Sequence, residues 1–410
     1  MPVAPAPVPF PTISDDTPDK EYLYTLNFGP QHPATHTTLR LVLTLDGETI
    51  VKCVPDIGYL HSGFEKLGED LDYNQYVTIV DRMNYISPIY NEIAWHHSVE
   101  KLLGIELTPR CKYIRTILGE LARVSDHLLC VGAAALDLGG ITAFLYAFNQ
   151  REHIYNIIET MSGQRFHPSF TRVGGLMFDV NESWIDQIRK FVKDLPRAHD
   201  DITRLLNRNR IFIDRTKGVG YLSTEDAIRR GASGPVARGS GVVRDLRKDE
   251  PYLAYGDLDF NVIASKGGDC AARYLVRLEE IRESLKIIAQ AVENIPSGPV
   301  NVDVAERFGI PDKGATYRSI EGLIQHFEMI MTNRRWEPPI EEVYGAVEAP
   351  NGELGFYVVS AGEGHAWRAR CRPPSFIHFA MLPYLIEGHQ ISDVPAVIGS
   401  LNIIAAELDR

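Results

Sequence analysis

Residues 113–131 read YIRTILGELARVSDHLLCV, and the spacing of their apolar positions decides the fold class. Ile114, Ile117, Leu118, Leu121, Val124 and Leu128 recur every three or four residues, the repeat of one face of an α-helix. Working outward, a second long helix is predicted over 145–162, with Phe148, Ile154, Ile157 and Ile158 as its buried stripe. Further helices are predicted over 182–207, 269–294, 317–331 and 376–386. Toward the N-terminus the period changes to two. Leu39, Leu41, Leu43 and Leu45 alternate with Arg40, Val42 and Thr44, and Asp46-Gly47-Glu48 turns the chain into Thr49–Val54, a hairpin. A second β-ribbon is expected over Glu342–Ser360. Pro2, Pro5, Pro7, Pro9, Pro11 and Pro18 make residues 1–21 an extended, proline-rich arm, ordered only along a partner. The expectation is an α+β fold with a small N-terminal β-rich part (22–67) and a mainly helical, bundle-like core (68–410). No Pro/Ser-rich linker divides 22–410.

Composition narrows the function. The chain has 410 residues and a formal net charge of −12, which opposes binding to bare nucleic acid, a polyanion that selects positive surfaces. With 44% apolar and 23% charged residues it has the composition of a globular protein. Its longest apolar runs, such as Leu128–Leu136, fall far short of the roughly 20 residues of a membrane helix. A soluble protein that reaches a membrane only through partners is expected. No basic-then-apolar export segment opens the chain. The five cysteines (Cys53, Cys111, Cys130, Cys270, Cys371) form no CxxC, the usual mark of a self-contained zinc or iron–sulfur site. Redox work by this chain would therefore use a metal held by another.

The densest polar cluster is Gly29-Pro30-Gln31-His32-Pro33-Ala34-Thr35-His36-Thr37-Thr38. His32 and His36 have the spacing of a helical zinc pair, but Pro33 between them removes a donor and clashes with the preceding turn. The cluster is a loop before a strand, where a histidine is ordinarily a structural hydrogen-bonder. Asp81-Arg82-Met83-Asn84-Tyr85-Ile86-Ser87 offers Tyr85, whose plainer role is a helix-entry aromatic. Asp137 ends the apolar run 131–136 and needs a partner, because a carboxylate in such surroundings is costly alone. Gly163-Gln164-Arg165-Phe166-His167 reads as a basic turn closing a helix. Arg238-Gly239-Ser240-Gly241 lacks the spacing and the lysine of a phosphate loop, and no GxGxxG suggests a nicotinamide site.

The order of several blocks is more specific than any one of them: 27–36, Gly58-Tyr59-Leu60-His61, Leu136-Asp137-Leu138-Gly139, 163–167, 238–242 with 245–248, Gly352-Glu353-Leu354-Gly355 and Glu407-Leu408-Asp409-Arg410. From about residue 22 to the C-terminus the chain resembles the 49 kDa-type quinone-site subunits of the proton-pumping NADH:quinone oxidoreductase, respiratory complex I. That family is related to nickel–iron hydrogenase large subunits, and the resemblance implies their fold. The two CxxC pairs that hold the hydrogenase metal are absent here, so a hydrogenase of the same scaffold, the rival reading, lacks its ligands.

The resemblance implies a quinone pocket beside a neighbouring subunit that carries the terminal [4Fe-4S] cluster. His36 and Tyr85 match the family's two donors to the quinone headgroup, and Asp137 the carboxylate paired with the histidine. His167, with Arg165, matches the residues near the partner-held cluster. It further implies B-type, C-type and I-type neighbours in the peripheral arm and an H-type membrane-arm neighbour at the quinone channel. The expected location is peripheral, on the cytoplasmic side of a bacterial inner membrane. The sequence departs from the family pattern at Thr37, Ser62, Asn84 and Asn402. Tyr90, near Tyr85, matches no assigned role, so Tyr90→Phe is expected to be nearly silent. The isolated chain is predicted to bind no stoichiometric iron, nickel or zinc; elemental analysis of purified protein finding one metal per chain would refute this.

Overall fold

The structure, a computed structural model, describes residues 23–36, 38–303, 313–330 and 338–410. The proline-rich arm, expected over 1–21, and Thr37 lie outside the described residues. Five helices of sixteen residues or more form the body among the described residues: α1 (Pro88–Leu103), α2 (Pro109–Asp137), α3 (Ile141–Ser162), α4 (Glu182–Asn207) and α5 (Cys270–Glu293). The stretch read at 113–131 lies inside α2, whose start is set by Thr108 capping Cys111 N at 3.3 Å with proline at the first helical position. Ala133, Ala134 and Ala135 carry the same helix on to Asp137. Glycine ends it: Gly139 takes φ +85.

Two three-stranded antiparallel sheets flank the helices. In the first, β1 (Leu23–Phe28), β2 (Arg40–Asp46) and β3 (Thr49–Asp56) lie in that order, and Leu39, Leu41, Leu43 and Leu45 are all fully buried. In the second, β4 (Glu342–Ala349) and β5 (Gly352–Val359) make the expected ribbon, to which β6 (Arg368–Arg372) adds a strand. The helix expected over 376–386 is broken: Pro374–Ala380 ends before Met381, and Leu382–Ile386 starts anew with Pro383 in its first turn. The proline cannot donate into a continuing helix, so it opens a second one. The stretch expected at 317–331 is likewise interrupted, at Ser319.

There are two apolar clusters. The larger joins α1–α5 to the second sheet. The smaller joins the leucines of β2 to Leu382, Leu385, Val397, Ile398, Leu401 and Leu408, near the other end of the chain. Backbone bonds from Ile50 N to His389 O (2.9 Å) and from Gly388 N to Ile50 O (2.8 Å) seal that contact. The β-rich part thus folds back onto the last thirty residues, which carry α6 (Val394–Leu401).

Charge is also buried between the helices. Glu120 accepts from Tyr255 Oη (2.6 Å), Ser284 Oγ (2.6 Å), Tyr90 Oη (3.0 Å) and Arg247 Nη1 (3.1 Å). Burial alone would raise its pKa, but Arg123 and Arg247 outweigh burial and hold the carboxyl down to about 2. Arg238 is fully buried on Glu280 (2.7 Å) and Glu348 (2.6 Å). The glycine-rich stretch around it is therefore part of this network rather than an anion cradle.

Two other buried acids behave oppositely. Burial pushes Asp126 up to about 6, opposed by the amide of Asn402, which donates to it at 2.6 Å. Burial likewise pushes Glu407 up to about 7. Both bind a proton more tightly folded than unfolded, so their stabilising contribution is complete below the ordinary carboxyl range and is lost as pH rises through 6 to 7. Their share of the unfolding temperature should therefore fall between about pH 4.5 and pH 8, against the opposite trend of buried histidines such as His127 and His378, which burial holds neutral. Asp126→Asn should flatten that decline; an unchanged slope in thermal melts across the range would contradict the assignment.

Candidate functional site

The loop from Gly29 to His36 enters β2 through a close approach. Gly29 has φ +90, and a Cβ there would lie 1.9 Å from Leu39 O, so only glycine fits. His32 is structural: its ring accepts from Ala34 N at 3.1 Å and caps the short 3-10 turn Pro33–Thr35, 4.3 Å from the Phe28 ring. His36 closes that turn in the left-handed region, φ 57. This turns its ring toward the end of α2, where Nε2 is hydrogen-bonded to Asp137 Oδ2. Gly399 of α6 lies alongside, with its ideal Cβ position 3.5 Å from His36 Cε1.

Asp137 is the last residue of α2, so its charge adds to the negative end of the helix dipole. A donor across from it relieves both, and His36 supplies that donor. The pair is only partly screened, with 22% and 13% of the two side chains exposed. His36 Nδ1 meets no partner among the described residues. Around the pair Leu136, Ile141, Leu145 and Tyr146 are exposed, a concentration of apolar surface beside a titratable group.

Tyr85 lies in the turn that leads into α1 and is half-buried. Its ring is 6.5 Å from Phe166, which meets Tyr155 (5.8 Å) and His167 (4.6 Å) edge-on. Burial raises the Tyr85 hydroxyl above its ordinary pKa, which keeps the proton on it and leaves it a donor. No protein acceptor for that hydroxyl is found among the described residues. Burial lowers His167, Arg82 lowers it further, and the Asp81 carbonyl opposes both. Arg165 is an exposed side chain folded back on α3, ion-paired with Glu152 (2.5 Å) and Glu159 (2.9 Å). It shares a turn with His167 but no contact.

The structure therefore joins His36 to Asp137, and Tyr85 through Phe166 to His167; no bond or ring contact joins the two groups among the described residues. Two cavities of about 740 and 430 Å³ touch neither group. The expected neutrality of Tyr90 is overturned. Its hydroxyl, fully buried, donates to Glu120 and lies 2.7 Å from Arg123 Nη2, which donates to it. Removing it would leave buried charge unsatisfied. Sequence reasoning also passed over Glu92, although an acid on the apolar side of a helix is a signal. It holds Thr171 N at 2.7 Å, close to His167.

No group of three His, Cys, Asp or Glu side chains among the described residues could hold a metal. The cysteines are buried free thiols. Burial, then Glu387, pushes Cys53 up to about 12, and burial pushes Cys130 up to about 11, so they are protonated rather than the thiolates that bind metal.

Residues 137–410 match the family described as respiratory-chain NADH dehydrogenase, 49 Kd subunit. The NADH-quinone oxidoreductase D-type subunit of Methylacidiphilum infernorum is 46% identical, covering 94% of this chain and 91% of its own. The corresponding D-type subunit of Chloroherpeton thalassium is 47% identical over 97% and 90%, and that of Pelobacter propionicus 45% over 94% and 95%. With near full-length relatives at this identity and a family match over most of its length, the chain belongs to the 49 kDa subunit family of the respiratory-chain NADH dehydrogenase.

Proposed function

We propose that this chain, as a subunit of an NADH:quinone oxidoreductase, forms one wall of the quinone-reduction pocket. The reading rests on two donors without a protein partner among the described residues: the Tyr85 hydroxyl beside Phe166, and His36, with Nε2 on Asp137, beside exposed apolar surface. The neighbouring subunit completes the pocket across the apolar surface at Leu136, Ile141, Leu145 and Tyr146, and holds the terminal [4Fe-4S] cluster that supplies electrons. The B-, C- and I-type peripheral-arm neighbours and an H-type membrane neighbour complete the assembly. No helix among the described residues is long and apolar enough to cross a membrane.

The chemistry follows from the donors. Quinone reduction adds two electrons and two protons, and each carbonyl oxygen accepts a hydrogen bond before it accepts a proton. Tyr85 donates to one oxygen; its depth keeps the phenol protonated until charge develops on the quinone. In its imidazolium form His36 donates to the other from Nδ1, while Nε2–H on Asp137 fixes the ring. Once the imidazole has given up a proton, Asp137 is left with less of its charge balanced at a helix end that already disfavours it. That imbalance at the loop carrying His36 is the step through which reduction is coupled to proton translocation. His167, half-buried with an unpartnered Nδ1, lies where a change of charge on the neighbouring cluster alters its protonation.

Tyr85→Phe removes one hydroxyl and little volume. In assembled complex, electron entry into the iron–sulfur chain should be normal, while quinone reduction slows by roughly tenfold or more, most for short-tailed quinones. The exposed Tyr317→Phe is the control and should be silent. Equal rates for the two variants would place the pocket elsewhere. His36→Ala should slow turnover and remove a limb of the pH–rate profile; a profile of unchanged shape would deny His36 its proton-donor role.

A further inference from the structure

Between the Tyr85 turn and the His167 turn are two acids that this chemistry leaves unused. Asp81 and Glu92 are both fully buried. Asp81 Oδ2 accepts from Ser169 N (2.9 Å) and Ser169 Oγ (2.7 Å). Glu92 Oε2 accepts from Phe170 N (3.0 Å), Thr171 N (2.7 Å) and Thr171 Oγ1 (2.8 Å). Two carboxyl groups thus hold three successive peptide N–H groups, starting two residues after His167. Asp81 grips both sides of that turn, since its carbonyl faces the His167 ring while its side chain holds Ser169. Ser169 needs the grip: its φ is 42, a left-handed backbone that a non-glycine residue adopts only when its surroundings impose it.

Each acid has one oxygen left over. Asp81 Oδ1 and Glu92 Oε1 are buried and receive no donor, and the two carboxyl groups lie within hydrogen-bond reach of one another. No cation is paired with either one among the described residues. Arg115 is taken up by Glu100, at 2.8 and 3.1 Å. Arg172 donates to Ser169 O and Thr171 O, and Arg82 is exposed and donates to Thr78 O. His96, behind Thr171 with Nδ1 2.7 Å from Oγ1, is kept neutral by burial with Arg115 and Arg172 nearby. His167 is also held toward its neutral form by burial and Arg82. Two facing carboxylates without a counter-ion repel, whereas one proton between them satisfies both leftover oxygens. Burial, and then Glu92, hold Asp81 well above the ordinary carboxylate range, in accord with that geometry.

We propose that Asp81 and Glu92 share a single proton, and that this singly charged pair is the positioning element that sets His167 and Phe166 against Tyr85. The inference rests on the proposed quinone site for its role, though not for its chemistry. When the pair loses its proton to solvent base, one O–H bond breaks, two carboxylates face each other and the grip on 169–171 loosens. No electron moves. The His167 turn then loses its register, and quinone reduction falls on the alkaline side.

The test uses assembled complex. Infrared pH-difference spectra recorded above pH 8, where Asp126 and Glu407 are already ionised, should show a buried protonated-carboxyl band in wild type that is lost in Asp81→Asn and in Glu92→Gln. Both amides keep the shape and the acceptor oxygen but remove the titrating proton, so the alkaline decline of quinone reduction should flatten in each. Asp81→Ala, which removes the grip, should lower the rate about tenfold or more at every pH. A band that persists in either single variant, or an alkaline limb unchanged in Asp81→Asn, would overturn the proposal. Failure of both amide variants to assemble would also overturn it, because a shared-proton pair accepts an amide for one acid. A lost band together with a silent Tyr85→Phe counts against the pocket and not against the shared proton.

Discussion

Asp137 carries its charge at the C-terminal end of a 29-residue helix, where the helix dipole is already negative, and only a small part of the side chain reaches solvent. Neither the helix nor water can balance it there. The partner is His36, 101 residues earlier in sequence. For that histidine to arrive, the loop from Gly29 must turn back sharply, Leu39 and the three leucines of β2 must be buried, and those leucines must pack on α6 and the helices around it. The smaller apolar cluster and the ion pair are therefore one constraint. Apolar burial brings the two ends of the chain together, and the charge at the end of α2 decides how the loop between them is oriented.

The same rule divides the interior from the site. Deep in the helices, Arg115, Arg123, Arg238 and Arg247 are almost wholly buried, and each is ion-paired with a carboxylate. Such a network is rigid because loss of any member strands a desolvated partner, an effect of roughly 3–5 kcal/mol. Tyr90 belongs to it. Tyr85, five residues before, does not: it is half-buried, has no protein acceptor among the described residues and faces aromatic rings. Two tyrosines alike in sequence context are thus separated by what their hydroxyls meet. One completes the frame, and the other makes no hydrogen bond to protein among the described residues.

Much of this was legible in the sequence. The three-four spacing at 113–131 marks α2, and the alternating leucines mark the first hairpin, because helix and strand periods differ. Asp137 at the end of an apolar run announces a partner without naming it. What the sequence hides is long-range. Nothing local tells that β1 and β6 complete sheets, that Pro383 opens a new helix inside the stretch expected as one, or that Tyr90 meets Glu120 across the helices. Arg165 shows the limit of a motif: the basic turn is there, but its guanidinium is bound to Glu152 and Glu159 of the preceding helix. The Asp81–Glu92 pair was half visible, as one acid in a quoted block and another in the helix that follows.

In the proposed site the donors of His36 and Tyr85 face one ligand across a pocket that a neighbouring subunit closes. A structure of the intact complex with a short-tailed quinone bound tests it most directly. The account predicts one carbonyl oxygen within hydrogen-bond distance of the Tyr85 hydroxyl, the other directed at His36 Nδ1, and the His36–Asp137 bond intact before reduction. A headgroup bound out of reach of both side chains would contradict it.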